Sequence, residues 1–309
     1  MRAVAIDDFG AAPALRDLPK PEPGPGEVLV RVQASSINGF DLAVAAGMLK
    51  GMMEHRFPVV LGKDFAGTVE AVGEGVVRFA VGDQVFVVMK PELGDGAFGE
   101  HVAVGAGFGI AHIPAGLDVA VAGALGLSGT AALMSVNAVA PAAGEVVLVC
   151  GATGGVGAHA VQLAAARGAE VIATARPGEE ADLVRGLGAA HTVDYTDDVP
   201  AAVRSLRADG VHAIVHLAAD GLRLAELLVD GGRIASTLGL GPDQLADRDV
   251  TATAVMAAPD AATLDRLAAD VAAGRLRVPI THTYRLAEVP QGLTDFAGGT
   301  LGKLAVTID

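Results

Sequence analysis

The sequence predicts an α/β fold of two domains, in which a doubly wound parallel sheet is inserted into a β-rich domain. The chain has 309 residues, of which 51% are apolar, whereas a single hydrophobic core stops growing at roughly 250 to 300 residues. The middle of the chain alternates strand and helix patterns in five successive units. The two ends of the chain instead show short strands separated by glycine turns.

The first third of the chain has the pattern of β structure. Residues 18–27 contain four prolines and two glycines, which is typical of an extended surface segment leading into a strand. Residues 28–32 and 68–72 alternate between the two faces of a strand, and glycines follow the second run. Short strands joined by glycine turns predict a barrel-like or sandwich domain.

An uncharged stretch follows at residues 119–144. It is longer than the ~20 residues that cross a bilayer. It is also rich in Ala and Gly and contains Ser, Thr, Asn and Pro, so its transfer energy into lipid is weak. We expect buried helices of a soluble protein rather than a membrane span.

The central part of the chain alternates strands and helices. Short apolar runs predict strands at residues 146–149, 170–174, 191–194, 211–217 and 233–238. Helical segments at residues 158–167 and 179–187 are followed by Gly168 and Gly188, and glycine is common after a helix C-terminus. This succession predicts a doubly wound sheet.

The last part of the chain returns to the β-rich pattern. We expect a strand at residues 277–284, a helix at 287–296 and a strand at 303–308. These elements are expected to rejoin the N-terminal domain. The predicted domains are therefore residues 1–120 with 278–309, and residues 121–277.

Charge and cysteine content limit the partners. The chain has 22 Lys and Arg against 36 Asp and Glu, a formal net charge of −14, which disfavours nucleic acid and anionic membranes as partners. The single cysteine, Cys150, excludes an internal disulfide and every multi-cysteine metal site. The N-terminus lacks an apolar core of secretory length. We expect a cytoplasmic protein.

A glycine-rich turn lies directly between a predicted buried strand and a helix. It has the sequence GATGGVG at residues 151–157, with Ala152, Gly154 and Gly157 at the three small-residue positions of a dinucleotide-binding turn. Small residues let the backbone approach a pyrophosphate closely, and free N–H groups at the helix start bind its charge. A glycine turn with no ligand is the alternative interpretation.

The end of the second strand of this unit bears on the choice of cofactor. An acidic residue there usually holds the ribose 2′-hydroxyl of NAD, whereas an arginine nearby accommodates a 2′-phosphate. Residues 173–176 contain no acid and end in Arg176, which favours NADPH. The nearby Glu179 and Glu180 weaken this preference, and an exposed arginine without a ligand remains the alternative.

Several strings of residues, taken together and in order, resemble one enzyme family. They are PEPGPGEV (21–28), INGFD (37–41), LGKDFAGTV (61–69), GDQV (82–85), GATGGVG (151–157) and LGK (301–303). Over almost its whole length the chain resembles the zinc-independent, ζ-crystallin-like quinone oxidoreductases of the medium-chain dehydrogenase/reductase superfamily. The resemblance implies a GroES-like catalytic domain and a Rossmann nucleotide-binding domain, with the active site in a cleft between them.

The resemblance also implies a site without a metal. Zinc-dependent members of the superfamily place Cys and His ligands in the segments that correspond here to residues 35–38 and 62–64. Neither segment contains Cys or His, and Lys63 stands where a ligand histidine is often found. We therefore expect no metal.

The resemblance further indicates which residues form the site. Asn38 is expected to line the cleft near the nicotinamide, and it is the single candidate for a catalytic role. Asp41 and Asp64 are expected to hold loops by bonding to backbone. Tyr195 matches a tyrosine that lies against the 2′-phosphate, and a lysine that relatives use there is replaced by Glu180. The predicted cofactor-binding residues are Ala152, Thr153, Gly154, Gly155, Val156, Gly157, Thr174, Arg176, Tyr195, Thr130, Leu217, Leu238, Gly239 and Lys303.

These expectations define a function. We expect an NADPH-dependent reductase that transfers a hydride to a quinone or an α,β-unsaturated carbonyl, because such acceptors need no metal to polarise them. Water is the expected proton donor, since neither Tyr195 nor Tyr284 lies in residues 38–57, and a lone histidine there, His55, is more often simply exposed. The alternatives are a non-enzymatic NADPH-binding sensor and a biosynthetic enoyl or ketone reductase.

Two further expectations concern the substrate and the assembly. Residues 43–57 are expected to face the substrate, with Met48, Leu49, Met52 and Met53 forming either an apolar wall or part of the core. Family members usually pair through the edge of the nucleotide domain's sheet. Residues 250–255 form the candidate edge strand, so we expect a homodimer.

Overall fold

The computed structural model describes residues 1–52, 55–90 and 96–309. These residues form two compact units, one of residues 1–127 and 258–309 and one of residues 128–257. In chain order the first unit contains β1 (Arg2–Ile6), β2 (Ala14–Asp17), β3 (Glu27–Ile37), α1 (Gly39–Ala45), β4 (Val59–Val60), β5 (Asp64–Val72), β6 (Gln84–Val88), β7 (His101–Gly105) and β8 (Ile110–His112).

The helix α2 (Val119–Val139) contains the boundary between the units. The second unit continues with β9 (Val146–Cys150), α3 (Gly155–Ala165), β10 (Glu170–Thr174), α4 (Glu179–Gly186), β11 (His191–Val193), α5 (Val199–Leu206), β12 (Val211–His216), α6 (Gly221–Ala225), β13 (Leu228–Ser236) and β14 (Val250–Ala254). The chain then returns to the first unit with α7 (Ala261–Ala272), β15 (Ile280–Arg285), α8 (Val289–Ala297) and β16 (Lys303–Thr307).

The first unit is built around the long strand β3. Strand β3 pairs antiparallel with β5, β7 and β16, and the sheet runs in the order β15-β16-β3-β5-β6-β8. Val28, Val30 and Val32 are buried, as the period of two in the sequence predicts. Because β16 lies beside β3, the C-terminal residues complete a sheet that the N-terminal residues begin.

The second unit contains a six-stranded parallel sheet in the order β11-β10-β9-β12-β13-β14. This order confirms the predicted doubly wound fold, with the chain reversing direction across the sheet between β9 and β12. All five residues of β9 are buried because helices cover both faces of such a sheet. Val147 and Val149 join one hydrophobic cluster, and Leu148 and Cys150 join the other.

Helix α2 contains no charged residue. Among the described residues it is the one helix long and apolar enough to cross a bilayer, with a mean hydropathy of 1.7. Within the tested window, 72% of the residues are buried by the rest of the protein. That degree of burial is typical of a core helix.

The boundaries of the two units differ from the predicted ones. They fall after residues 127 and 257, not after residues 120 and 277. Helix α7 accounts for most of the second difference because it packs against β8 of the first unit. The residues of α7 lie inside the predicted range 121–277, for which no separate helix was predicted here.

Candidate cofactor and active site

The turn after β9 is shaped by two glycines. Gly151 has a φ of +82°, a backbone conformation that glycine adopts without strain. A Cβ atom on Gly157 would lie 2.1 Å from the carbonyl oxygen of Gly151 and 2.5 Å from the Cα atom of Ala152. Only glycine therefore lets α3 pack this closely against the turn, as the spacing of the motif predicts.

The start of α3 presents unsatisfied backbone donors. The first amide in this helix to find an acceptor is that of Ala158, which donates to the carbonyl of Gly154 at 2.8 Å. Within the part of the chain that the structure describes, the N–H groups of Gly155, Val156 and Gly157 donate to no acceptor. Three such donors at the positive end of a helix suit a phosphate group.

Two buried residues among the predicted cofactor-binding set, Thr174 and Ala152, hold the glycine turn in place. Thr174 is 2% exposed, and its Oγ1 accepts a hydrogen bond from the amide of Gly151 at 2.9 Å. Ala152 is fully buried, while Thr153 is half-buried. Thr174 and Ala152 thus fix the shape of the turn from its buried side, whereas residues 153–156 are half-buried.

Arg176, Glu180 and Tyr195 form a cluster beyond the end of β10. The Arg176 guanidinium donates to Glu180 Oε1 through Nε at 2.8 Å and Nη2 at 2.6 Å. The Tyr195 hydroxyl donates to the same oxygen at 3.0 Å. Burial raises the pKa of Glu180, but the bonds from Arg176 outweigh it and hold the pKa below its usual range. Glu180 therefore occupies both donors that the sequence predicted for a 2′-phosphate.

Three more predicted residues follow the ends of β12 and β13. Leu217 follows β12, and its amide donates to the carbonyl of Cys150 at 3.0 Å. Leu238 is 58% exposed and Gly239 is also exposed, with a φ of +84°. We call the ends of β9, β12 and β13 the carboxyl edge. Thr130 differs from these residues because its side chain is fully buried within α2.

In the first unit, Asn38 is part of a buried hydrogen-bond network. It precedes α1 and is 8% exposed. Its Nδ2 donates to the carbonyl of Ser36 at 3.0 Å and to Asp64 Oδ1 at 2.9 Å, and its Oδ1 accepts from Lys303 Nζ at 2.8 Å. Both amide hydrogens are thus used internally, and a lone pair on Oδ1 is what Asn38 has left to offer a ligand.

Two carboxyl groups and an ammonium group share this network. Asp64 accepts from Ser36 Oγ at 2.7 Å and from the amide of Leu127 at 3.1 Å. Asp41 accepts from the amide of Asn38 at 2.8 Å. Burial raises the pKa of Asp41 to about 7 and raises that of Asp64, which Lys303 opposes. Burial lowers the pKa of Lys303, and the two carboxylates oppose that shift.

The structure gives Lys303 partners that the sequence did not predict. It is 2% exposed, and its ammonium donates to Asn38 and to the carbonyl of Ile37. Its contact with a cofactor therefore stays a prediction. Asp64 directly follows Lys63 in the sequence, so no local pattern pointed to the distant Lys303 as the cation beside Asp41 and Asp64.

Neither Cys nor His stands at residues 35–38 or 62–64, where the family resemblance implies the zinc ligands of zinc-dependent members. Lys63 is 5% exposed and its ammonium lies 4.6 Å from the centre of the Phe40 ring. Among the described residues, no three His, Cys, Asp or Glu side chains converge as metal ligands would. Burial raises the pKa of the Cys150 thiol to about 11, so Cys150 packs as a neutral side chain.

Two of the four apolar residues predicted to face the substrate are exposed to solvent. Met48 and Met52 are 73% and 70% exposed, so these two methionines form a surface rather than fill the core. Leu49 packs against the hydrophobic core of the first unit, and Met53 lies outside the described residues. The His55 ring lies edge-on to Phe9, with 5.0 Å between ring centres.

Comparison with known proteins defines the class of this chain. Residues 24–160 match the alcohol dehydrogenase GroES-like domain, and residues 155–255 match the domain described as a zinc-binding dehydrogenase. Together these matches define a medium-chain dehydrogenase/reductase, and they confirm the predicted pairing of a GroES-like domain with a Rossmann domain.

Individual relatives show which branch of this superfamily the chain belongs to. A quinone oxidoreductase of Lama guanicoe is 30% identical over all of this chain and 98% of its own length. One of Sus scrofa is 33% identical over 81% of this chain and 76% of its own. The chain therefore belongs to the quinone oxidoreductase branch of the medium-chain superfamily, as the sequence strings predicted.

Solved structures agree with this assignment. The quinone oxidoreductase from Coxiella burnetii has a TM-score of 0.92 at 27% identity, covering 100% of this chain and 99% of that one. A mycobacterial protein solved in complex with NADPH has a TM-score of 0.86 at 27% identity, with 99% of both chains covered.

Proposed function

We propose that this protein is an NADPH-dependent reductase that delivers a hydride to a quinone or an α,β-unsaturated carbonyl without a metal ion. The observation that carries the proposal is the set of free backbone amides at Gly155, Val156 and Gly157. A Cβ atom on Gly157 would clash with the turn that precedes these amides. Bound there by its pyrophosphate, NADPH supplies the hydride from its nicotinamide ring. The protein's own residues bind and orient the reactants.

The choice of NADPH over NADH rests on Arg176 and Tyr195. Both side chains are exposed and both donate to one oxygen of Glu180. A 2′-phosphate offers the same kind of acceptor with a greater charge, so it can take the place of Glu180 between them. The mycobacterial neighbour in complex with NADPH supports this assignment.

The proposed acceptors need neither a metal ion nor a protein acid to accept a hydride. A quinone or an enone is already electrophilic, so positioning supplies most of the rate. The two tyrosines are engaged elsewhere: Tyr195 donates to Glu180, and Tyr284 donates to Asp295 at 2.6 Å. Burial and this bond to Asp295 raise the pKa of Tyr284 to about 12. Water is therefore the proposed source of the product's proton.

Oligomeric state and location complete the proposal. Strand β14 lies at one edge of the parallel sheet, and we propose that two copies pair there as a homodimer, which would cover the open strand. We also propose that the protein acts in the cytoplasm, where the single buried thiol of Cys150 stays reduced.

One experiment tests the central proposal. Purified protein is titrated with NADPH and with NADH by calorimetry, and NADPH oxidation is then followed by its absorbance with a panel of quinones and enones. We expect NADPH binding and turnover with at least one acceptor class. Binding without turnover of any acceptor would favour a cofactor sensor, and failure to bind either nucleotide would refute the proposal.

A further inference from the structure

A buried histidine and serine lie side by side at the carboxyl edge. His216 ends β12 and Ser236 ends β13, and the two residues are paired in the parallel ladder, with His216 also paired to Cys150 of β9. His216 is 3% exposed and Ser236 is fully buried. The His216 Nδ1 lies 2.9 Å from Ser236 Oγ, and its Nε2 lies 3.1 Å from the carbonyl oxygen of Ala219.

The hydrogen bonds around this pair allow one arrangement of protons. The carbonyl of Ala219 can only accept, so His216 Nε2 must carry a hydrogen. Ser236 Oγ already accepts from the amides of Leu238 at 3.0 Å and Leu240 at 3.3 Å. Its own hydrogen therefore points to His216 Nδ1, which must be unprotonated. The imidazole is neutral and joins the loop after β12 to the loop after β13.

His216 also holds a strained part of the backbone. Ala219 has a φ of +72°, a conformation that residues with a side chain rarely adopt and that costs energy unless the surroundings enforce it. The bond from His216 Nε2 fixes the carbonyl of this residue. Gly221 completes the fit, because a Cβ atom there would lie 2.6 Å from Cε1 of the His216 ring.

The loop that His216 holds lies against the glycine turn. A Cβ atom on Gly151 would come within 3.1 Å of the Ala218 Cβ atom and 3.2 Å of the Leu217 Cβ atom. The loop that Ser236 holds carries Leu238 and Gly239, both exposed. The pair thus connects the two loops, through buried bonds, at the same edge of the sheet as the free amides of α3.

We infer that His216 and Ser236 are positioning residues for the bound cofactor: their neutral hydrogen-bond chain holds residues 217–219 and 238–240 in the shape that receives the nicotinamide half of the dinucleotide. The inference rests on the proposed function, since it assumes that a dinucleotide binds at the carboxyl edge. Neither residue touches the reacting atoms. Their effect is to keep two loops ordered before the cofactor arrives, which lowers the entropic cost of binding.

Two variants test separately the hydrogen bonds made by Ser236 and those made by His216. Ser236→Ala removes the acceptor for the amides of Leu238 and Leu240 and the donor to His216. His216→Asn keeps an acceptor near Ser236 but loses the donor to Ala219. The matched control is His212→Asn at the other end of β12, where Nδ1 accepts from the amide of Val146 at 3.1 Å and the asparagine oxygen can replace it.

We expect the Kd of NADPH to rise roughly 10- to 100-fold in Ser236→Ala and roughly 3- to 10-fold in His216→Asn, from the usual worth of one to three buried hydrogen bonds. We expect kcat to fall while the KM for the quinone stays near that of the wild type, because the substrate-facing segment is untouched. Amide hydrogen exchange at Leu238 and Leu240 should accelerate in Ser236→Ala. His212→Asn should leave the Kd and kcat unchanged.

The position of the hydrogen on His216 can be measured in the wild-type protein, so this test does not depend on a variant that folds. Nitrogen-15 NMR of labelled histidine distinguishes a protonated from an unprotonated ring nitrogen, and we expect His216 to carry its hydrogen on Nε2 alone. Hydrogen on Nδ1, or a folded Ser236→Ala protein with wild-type Kd and kcat, would overturn the inference while leaving the proposed function intact. If the wild-type protein bound neither nucleotide, the proposed function would fail first and the inference with it.

Discussion

At the scale of single residues, the acidic side chain of Glu180 has the largest consequence for the choice of cofactor. Arg176 and Tyr195 could be found from the sequence, and both lie where a 2′-phosphate could bind. The structure shows that Glu180 accepts from both. A carboxylate at this point competes with a phosphate for the same donors and repels it, so Glu180 opposes the preference for NADPH that we propose on the basis of Arg176.

Removing this charge should therefore favour NADPH selectively. In Glu180→Gln we expect the Kd of NADPH to fall roughly 10-fold, the effect of removing one like charge a few ångströms from a phosphate near a protein surface. The Kd of NADH, which lacks the phosphate, should change little. Glu179→Gln, one residue earlier on α4 and exposed, is the control for net charge. An equal change for both nucleotides would contradict this role.

Two glycines of the turn are needed for different reasons, Gly157 for close packing and Gly154 for cofactor binding. In Gly157→Ala the new Cβ atom would lie 2.1 Å from a carbonyl oxygen, so we expect a loss of stability of roughly 1–3 kcal/mol, typical of overpacking, and loss of NADPH binding. In Gly154→Ala the nearest atom is 3.8 Å away. That variant should fold normally, by thermal denaturation, and bind NADPH more weakly. A stable Gly157→Ala protein with normal binding would contradict the close approach.

At the scale of elements, the start of helix α1 couples its cap to a buried charge. Asp41 accepts from the amide of Asn38 while it is buried beside Asp64 and Lys303. Capping stabilises a helix start, but burial disfavours the charged form and raises the pKa of Asp41 to about 7. The Asp41 carboxyl group thus stabilises the start of α1 and makes the stability of the protein depend on pH.

The sign of that dependence follows from the two protonation states. Between ~3.9, the pKa of Asp in an unfolded chain, and about 7, folded Asp41 binds a proton that the unfolded chain does not. The free energy of unfolding should therefore fall as pH rises through this range, by at most about 1.4 kcal/mol per pH unit, and level off above it. Chemical denaturation from pH 5 to 8 measures this slope.

The neutral variant Asp41→Asn should have a shallower slope than the wild type over the same pH range, because it keeps an acceptor for the cap without the titrating group. Asp260→Asn is the control. The side chain of Asp260 caps α7 through the amide of Thr263, and hydrogen bonds from the side chain and the amide of Thr263 lower the pKa of Asp260. Its contribution is present at high pH and is lost as pH falls, the opposite direction. An unchanged slope in Asp41→Asn would show that other titrating groups cause the pH dependence of the free energy of unfolding.

At the scale of the whole molecule, the proposed reaction without a metal ion makes a prediction about metal removal. Lys303 bonds to Asn38 and opposes the charges of Asp41 and Asp64. We therefore expect dialysis against a chelator to leave the melting temperature and kcat unchanged. Added zinc should not increase kcat. A loss of activity that zinc restores would contradict the metal-free proposal.

The proposed dimer is a second whole-molecule property. Strand β14 is an edge strand of short length, and pairing with a second copy would satisfy its outer backbone groups. We expect sedimentation equilibrium at micromolar concentration to give twice the chain mass of 30.9 kDa. Thr251→Lys in this strand should shift the equilibrium toward the monomer without changing the circular dichroism spectrum. A wild-type protein of single-chain mass would refute the dimer.

The fold was predictable because its signals are local. Runs such as residues 146–149 and the spacing of Gly151, Gly154 and Gly157 specify a buried strand, a turn and a helix start within a few residues of chain. The parallel sheet and the free backbone amides at the start of α3 follow from them. The place at which the chain returns to the first unit was not predictable in this way, because the contact of α7 with β8 joins residues more than a hundred positions apart.

The sequence by itself determined the family, the two kinds of domain and the glycine turn at which we propose that a dinucleotide's phosphates bind. Only the tertiary structure decided the partners of the charged and polar side chains: Lys303 with Asn38, Glu180 with Tyr195, and His216 with Ser236. The physical reason is that backbone conformation and burial patterns depend on near neighbours in the chain, whereas a buried charge or imidazole is satisfied by whichever groups the completed sheets bring within 3 Å or so of it.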